Sequence, residues 1–193
     1  MESRARILEN IRKAEVPFKP LPTLSPGAVI EDLIAAFSEV LVSIGGRVFL
    51  VRDHDEIAHQ VSTLFSNQQR ILSVVPGLPW HAPKFSDDPH DLQDVDLAII
   101  QGHLAVAENG AVWVTDLLMG DRSLPFIAQH LALVVPTKNV VATLSEAYDR
   151  IEGQSFEFGT FIAGPSKTAD IEQSLVLGAH GPKSLTVYLV SQA

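Results

Sequence analysis

The chain contains no cysteine, which rules out disulfide staples, thiolate catalysis and a cysteine-ligated iron–sulfur cluster held by this chain. Positive charge is also scarce: 14 Lys and Arg stand against 23 Asp and Glu, a formal charge of −9. Nucleic-acid binding draws most of its free energy from basic residues on phosphates, so a polyanionic partner is excluded. The densest basic stretch, Arg4, Arg6, Arg12 and Lys13, is interleaved with Glu2, Glu9 and Glu15 and reads as the solvated face of a helix. No apolar run approaches the ~20 residues a membrane helix requires. Met1-Glu2-Ser3-Arg4 places charge where an export signal needs an apolar core. These absences predict a soluble, cytoplasmic protein without a membrane span.

What remains is a globular composition. Apolar residues make up 46% and charged residues 19% of 193 positions, enough for one domain with a full core. Residues 2–15 carry Ile7, Leu8 and Ile11 among charges, a helix with a narrow apolar stripe. Pro17, Pro20, Pro22 and Pro26 follow and make an extended linker. Residues 1–26 are therefore expected to be an N-terminal helical arm and its tether. The arm packs either on its own body or on a neighbouring subunit, so a homo-oligomer is one expectation, and the parent domain is the favoured dock. Residues 27–193 are expected to form a single α/β domain.

Within that domain helix and strand signals alternate. Residues 27–43 read as an amphipathic helix stopped by Gly45-Gly46, 47–51 as a strand, and 53–65 as a helix that Asp53 could cap. Strands are expected at 71–75, 96–100, 131–135, 160–163 and 185–190, and a helix at 143–151. Residues 104–107 and 111–115 flank Asn109-Gly110, a hairpin signal. Residues 78–94 read as a long polar loop. Short apolar strands alternating with helices mean a mostly parallel sheet covered on both faces, and the hairpin makes it mixed. Trp113 is expected to pack on the sheet, and Trp80 to cover a pocket or a partner.

The most informative stretch is Gly164-Pro165-Ser166-Lys167-Thr168-Ala169-Asp170-Ile171-Glu172, continuing to Gly178-Ala179-His180-Gly181-Pro182. Read locally, it runs from a strand end across a turn into a helix over 168–177. Gly164, Ser166 and Thr168 then supply backbone N–H groups near a helix N-terminus, where anions bind, and Lys167 adds positive charge. The alternative is structural: Thr168 caps the helix, Asp170 and Glu172 complement its dipole, and Gly178 ends it.

This segment resembles the C-terminal signature of the lactate-utilisation protein C (LUD-domain) family, over residues 164–190 without a gap. Ala107-Glu108-Asn109-Gly110-Ala111 resembles that family's Ala-Glu-Thr-Gly-Thr-like turn, and Arg122, Leu124, Pro125 and His130 lead into the strand at 131–135 as in the family. The resemblance implies a NagB/RpiA/CoA-transferase-like α/β fold. It also implies an accessory role in oxidising L-lactate to pyruvate beside iron–sulfur partner subunits, with no cofactor in this chain. One departure concerns the turn that is glycine-rich in many relatives. Here it is Asp116-Leu117-Leu118-Met119-Gly120-Asp121, which puts any ligand geometry of that turn in doubt.

Glu108 has two readings. CoA transferases of this fold carry a Ser-Glu-Asn-Gly turn whose Glu attacks an acyl-CoA, so Glu108 is a candidate nucleophile or base; the bland reading is a solvated hairpin residue. Seven histidines give no metal set: His54 and His59 are off the i, i+4 face, and His81 and His90 sit in a polar loop. Three functions stand open: an accessory subunit of a lactate-oxidising system, a stand-alone protein or enzyme binding a small carboxylate, phosphate or acyl-CoA, or a structural or oligomerising module, for which the proline-tethered arm is the one positive feature. The candidate ligand-binding residues are Gly164, Ser166, Lys167, Thr168, Asp170, Glu172, His180, Arg122 and His130. Together with Glu108 they are expected around one pocket at the carboxyl edge of the sheet.

Overall fold

The computed structural model describes residues 3–14, 19–20, 30–67, 70–82, 88–169 and 175–191. In chain order the elements are α1 (Ser3–Lys13), α2 (Leu33–Ser43), β1 (Arg47–Val51), α3 (His54–Leu64), β2 (Ile71–Ser73), β3 (Leu97–Gln101), β4 (Leu104–Val106), β5 (Ala111–Thr115), α4 (Asp116–Met119), α5 (Leu124–Ile127), β6 (His130–Pro136), β7 (Val140–Val141), α6 (Leu144–Ile151), β8 (Gly159–Ile162), β9 (Lys167–Ala169), β10 (Leu175–Leu177) and β11 (Ser184–Val190).

Five strands form a parallel sheet in the order β1-β11-β6-β3-β2. Its central strands are buried on both faces, as continuous apolar runs require. One face presents Ile100, Leu133 and Val187 to Phe37 and Leu41 of α2. The other presents Ile99, Val134 and Tyr188 to Ile57 and Val61 of α3. Both helices are started by aspartates: Asp32 accepts from the N–H groups of Ile34 and Ala35, and Asp53 from that of Glu56 at 3.0 Å.

The hairpin expected around Asn109-Gly110 is present, with Val106 opposite Ala111, joined by a four-residue turn. It belongs to a separate four-stranded sheet, β7-β4-β5-β8, not to the parallel one. Ala105, Val112 and Val114 of this second sheet share the core under the parallel sheet. Leu104, Val106 and Trp113 face outward against Ala147 and Ile151 of α6. The Trp113 ring packs tilted against Phe161 and edge-on against Phe156, at 4.7 and 5.4 Å between centroids. The chain passes between the sheets at Gly102, where a Cβ would stand 2.4 Å from Val112. The layers are thus α3, parallel sheet, α2 with the second sheet, then α6.

Two expectations are corrected. The described residues of the helix expected at 168–177 are strand instead: β9 and β10 form an antiparallel pair, closed by the Gly178 N–H on the Ser166 carbonyl. Leu175-Val176-Leu177 is a β-favouring run, and pairing outweighs the cap-like Thr168. The arm also differs. Helix α1 exists, but Ile7, Leu8 and Ile11 are 54, 39 and 64% exposed and no residue of it is buried, so the stripe is not docked on the parent domain. Of the tether at 16–26 only Lys19 and Pro20 lie within the described residues.

His103 joins the sheets, its Nε2 2.7 Å from the Thr115 hydroxyl and its carbonyl accepting from Asn139. Burial holds its pKa below the ordinary histidine value.

Leu133→Ala, at a fully buried site in β6, is expected to lower unfolding free energy by about 2–5 kcal/mol in a denaturant titration. Removing residues 1–14 is expected to leave the thermal midpoint unchanged, since α1 buries nothing. A drop of several degrees on truncation would refute that reading of the arm. Because burial disfavours the charged form of His103 in the folded state, the unfolded state binds more protons as pH falls through the ordinary histidine range near 6.5. Stability is therefore expected to fall as pH drops from about 7.5 to about 5.5, and His103→Gln to flatten that slope. Equal slopes in the two proteins would remove His103 as the cause.

Candidate functional site

Open parallel sheets bind ligands outside the carboxyl ends of their strands, where loops diverge and backbone polar groups lack partners. Here those ends are Val51, Ser73, Gln101, Pro136 and Val190. Two adjoining cavities of about 340 and 330 Å³ open there and share Pro76 and Gln101. The first lies against Asp53 and His54 at the start of α3 and against Val190 and Pro136. The second runs under His81 to Leu117, Leu118 and Gly120. Together they make one cleft, walled by aliphatic ends of strands, with an amide and two imidazoles as its mobile polar groups.

The local sequence shapes this cleft. Asp53 is committed to capping α3, which leaves His54 and Gln101 as half-buried polar side chains on the wall. Gly77 has φ +87°, and a Cβ there would sit 3.1 Å from His54 Nδ1. Glycine at this turn therefore gives the imidazole its room. The stretch from Asp116 to Gly120 forms α4 and a positive-φ turn at Gly120, and Leu117, 69% exposed, stands at the lip. Such a lining suits a small molecule with an apolar body and one or two polar groups, and an imidazole can move a proton there.

Arg122 lies beyond α4, half exposed, with its Nη2 2.8 Å from Asp116 Oδ2 and 2.5 Å from Glu157 Oε2. The hydrogen bonds to Glu157 and Asp116 push its pKa up. Burial opposes ionisation of Asp116, but hydrogen bonds from Arg122 and the Phe158 backbone outweigh it and keep the carboxyl below its usual range. Arg122 thus ties the start of α4 to the segment before β8.

The other expected site residues do not meet Arg122 in one pocket. Glu108 is exposed, and its Oε2 accepts the Leu144 N–H at 2.8 Å, capping α6. It stands at the opposite end of β5 from Asp116, a strand of five residues or roughly 14 Å. His130 begins β6 and so lies at the amino edge of the parallel sheet, with Nδ1 2.7 Å from the Ser184 hydroxyl. Gly164 packs on the Ile44 carbonyl, Ser166 donates its N–H to the Pro182 carbonyl, and Thr168 pairs with Val176. Lys167 Nζ donates to the Ile44 carbonyl at 2.5 Å, covering the C-terminal end of α2. His180 is exposed in the turn before β11. Among the described residues the 164–168 turn therefore meets no helix N-terminus, and it sits at the amino edge, not the carboxyl edge. Asp170 and Glu172 lie outside the described residues. Among the described residues, no group of three His, Asp or Glu is placed to hold a metal ion.

The cleft residues His54, His81 and Gln101 were not singled out as binding residues. The available signals were the Asp53 cap after β1, the Pro76-Gly77 turn, and the altered turn from Asp116 to Asp121.

Lactate utilization protein C of Shouchella clausii is 34% identical over 92 residues, covering 45% of this chain and 40% of that protein. The Bacillus subtilis protein of the same name is 29% identical over 123 residues, covering 60% and 51%. That of Geobacillus thermodenitrificans is 24% identical over 167 residues, covering 83% and 69%. In the first two alignments the chain spans about half or less of the relative's length. The crystal structure of a DUF162 family protein from Deinococcus radiodurans superposes with a TM-score of 0.61 at 21% identity, covering 82% of this chain and 96% of that one. That likeness shows a shared fold. Residues 80–190, more than half of the chain, match the model of the LUD domain, and the chain belongs to the LUD domain family.

Proposed function

We propose that this protein serves lactate utilisation, as a subunit acting beside iron–sulfur partner proteins in the oxidation of L-lactate to pyruvate. The carrying observation is the set of relatives named lactate utilization protein C, whose alignments reach 83% of the chain. The carboxyl-edge cleft supports the reading. Its aliphatic walls fit a methyl group, and Gln101, His54 and His81 offer hydrogen bonds to a hydroxyl or keto oxygen. The chain has no cysteine with which to hold a cluster, so in this reading the redox centres belong to partners. Glu108 supports no acyl-transfer reading, because its carboxylate is engaged on the α6 backbone.

Deleting the gene in its host is expected to slow or stop growth on L-lactate as sole carbon source while leaving growth on glucose unchanged. The wild-type gene restores growth, and Gln101→Leu restores it poorly although the purified variant melts like wild type. Wild-type growth of the deletion strain on L-lactate would overturn the assignment.

Binding is tested directly by thermal shift. L-lactate or pyruvate at about 100 times Kd is expected to add about 2.7 kcal/mol of stability, and Gln101→Leu to lose most of that gain. The same shift in wild type and variant would place the ligand elsewhere.

A further inference from the structure

A second cavity, of about 560 Å³, opens at the amino edge of the parallel sheet, across the strand length from the cleft. It collects residues from the starts of four adjacent strands: Arg70 before β2, Asp96 before β3, Gln129 and His130 at β6, and Lys183 before β11. Most of the charge there is already matched. Arg70 Nη1 bonds the Asp91 carbonyl at 2.6 Å and the Asp94 carboxylate, and its N–H bonds Asp96 Oδ2 at 3.0 Å. Arg47, at the start of β1, donates to the Ser184 hydroxyl at 3.2 Å and lies over the Phe65 ring. Lys183 differs: its N–H is fixed to the Gln129 carbonyl, but its exposed ammonium forms no ion pair among the described residues.

His130 is held firmly beside it. The Phe65 ring packs at 5.5 Å, and Nδ1 is bonded to Ser184. Ser184 already accepts from Arg47, so donating its own proton to Nδ1 satisfies all three groups. The tautomer that follows keeps its proton on Nε2 as a donor. Arg47 and Lys183 crowd positive charge around this ring, Asp96 alone opposes them in its direct surroundings, and Arg70 and Asp94 neutralise each other across the cavity. Burial and these two cations keep His130 below the ordinary histidine pKa. The wall therefore offers an unmatched ammonium, a directional imidazole N–H and the Gln129 amide, facing carboxylates that can accept from hydroxyls.

We propose that this cavity is a second ligand site, taking a hydroxylated organic anion with its carboxylate or phosphate on Lys183 and His130. The site is independent of the lactate reading of the cleft. An anion there stabilises protonated His130, so binding tightens as pH falls through the bound-state pKa and levels off below the free-state one.

The test is an NMR titration of the full chain, following the His130 ring signal assigned by its loss in His130→Gln. The probes are L-lactate, inorganic phosphate and glucose 6-phosphate, with sodium chloride as the screening control. Saturable shifts are expected with at least one probe. Phosphate and glucose 6-phosphate responses without lactate identify a phosphate site, and the reverse a carboxylate site. For L-lactate, whose carboxylate stays ionised throughout, binding is expected to tighten as pH is lowered from about 8 toward about 5, by up to about tenfold for each unit by which the anion raises the His130 pKa. Lys183→Gln is expected to weaken it about tenfold, and Lys183→Arg to retain it, because the charge is kept. No saturable shift with any of the three probes would overturn the proposal. So would shifts reproduced by sodium chloride, or affinity unchanged in Lys183→Gln. Growth on lactate is not a readout here, so failure of this site leaves the cleft assignment standing or falling on its own test.

Discussion

Strands β3, β6 and β11 are buried along both faces, and this double burial dictates the rest of the architecture. A strand whose successive side chains are all apolar must have cover above and below, because each exposed aliphatic would forfeit its transfer free energy. One cover is α3 alone, reinforced by Val75, Leu78 and Trp80 from the following turn. The other is α2 with the inner face of the second sheet. With both faces sealed apart from single buried hydroxyls such as those of Thr186 and Tyr188, charged side chains collect at the strand ends. The carboxyl-edge cleft and the amino-edge cavity both lie at an edge of the sheet.

The two edges are chemically unlike. The seven residues of β6 put His130 and Pro136 at opposite ends, roughly 20 Å apart. At the carboxyl edge the walls are strand-end aliphatics with few charges. At the amino edge four strand starts bring Arg70, Asp96, His130 and Lys183 together. A single ligand of metabolite size cannot touch both. The strands joining them sit in a close-packed core, so each edge keeps its own geometry.

Much of the parallel sheet was legible because its signals are local and mutually consistent. The apolar runs at 97–100, 131–135 and 185–190 have no competing helical period, Asp53 caps the helix it was expected to cap, and the helix expected at 143–151 is present. The segment from Lys167 to Leu177 was misread because Thr168, Asp170 and Glu172 imitate a helix start, while the β9–β10 pairing depends on a partner strand that local reading cannot weigh. The split into two sheets was equally hidden. An Asn-Gly hairpin signals its own turn, not the sheet it joins. The expected pocket failed for a topological reason: a residue before a strand and one after it lie at opposite edges, and His130 precedes β6 whereas Gln101 ends β3. The family resemblance carried the fold and the candidate residues together, yet only the fold depends on the whole pattern.

Glu108 shows that difference at one residue. Its neighbours in sequence match a turn that in CoA transferases supplies a nucleophile, and its position on a strand-end turn is right for that role. What decides is the environment. Val141 and Ala142 receive the backbone N–H groups of Ala107 and Glu108, drawing the turn against the start of α6. There the Leu144 N–H, unpaired as any first-turn donor is, takes the carboxylate, while Thr143 and Glu146 satisfy neighbouring donors. The carboxylate is committed to that donor, and moving it toward an acyl carbon would leave the donor open. The same side chain on the same kind of turn is thereby a structural cap, because fold kinship transmits the scaffold and not the chemistry placed on it.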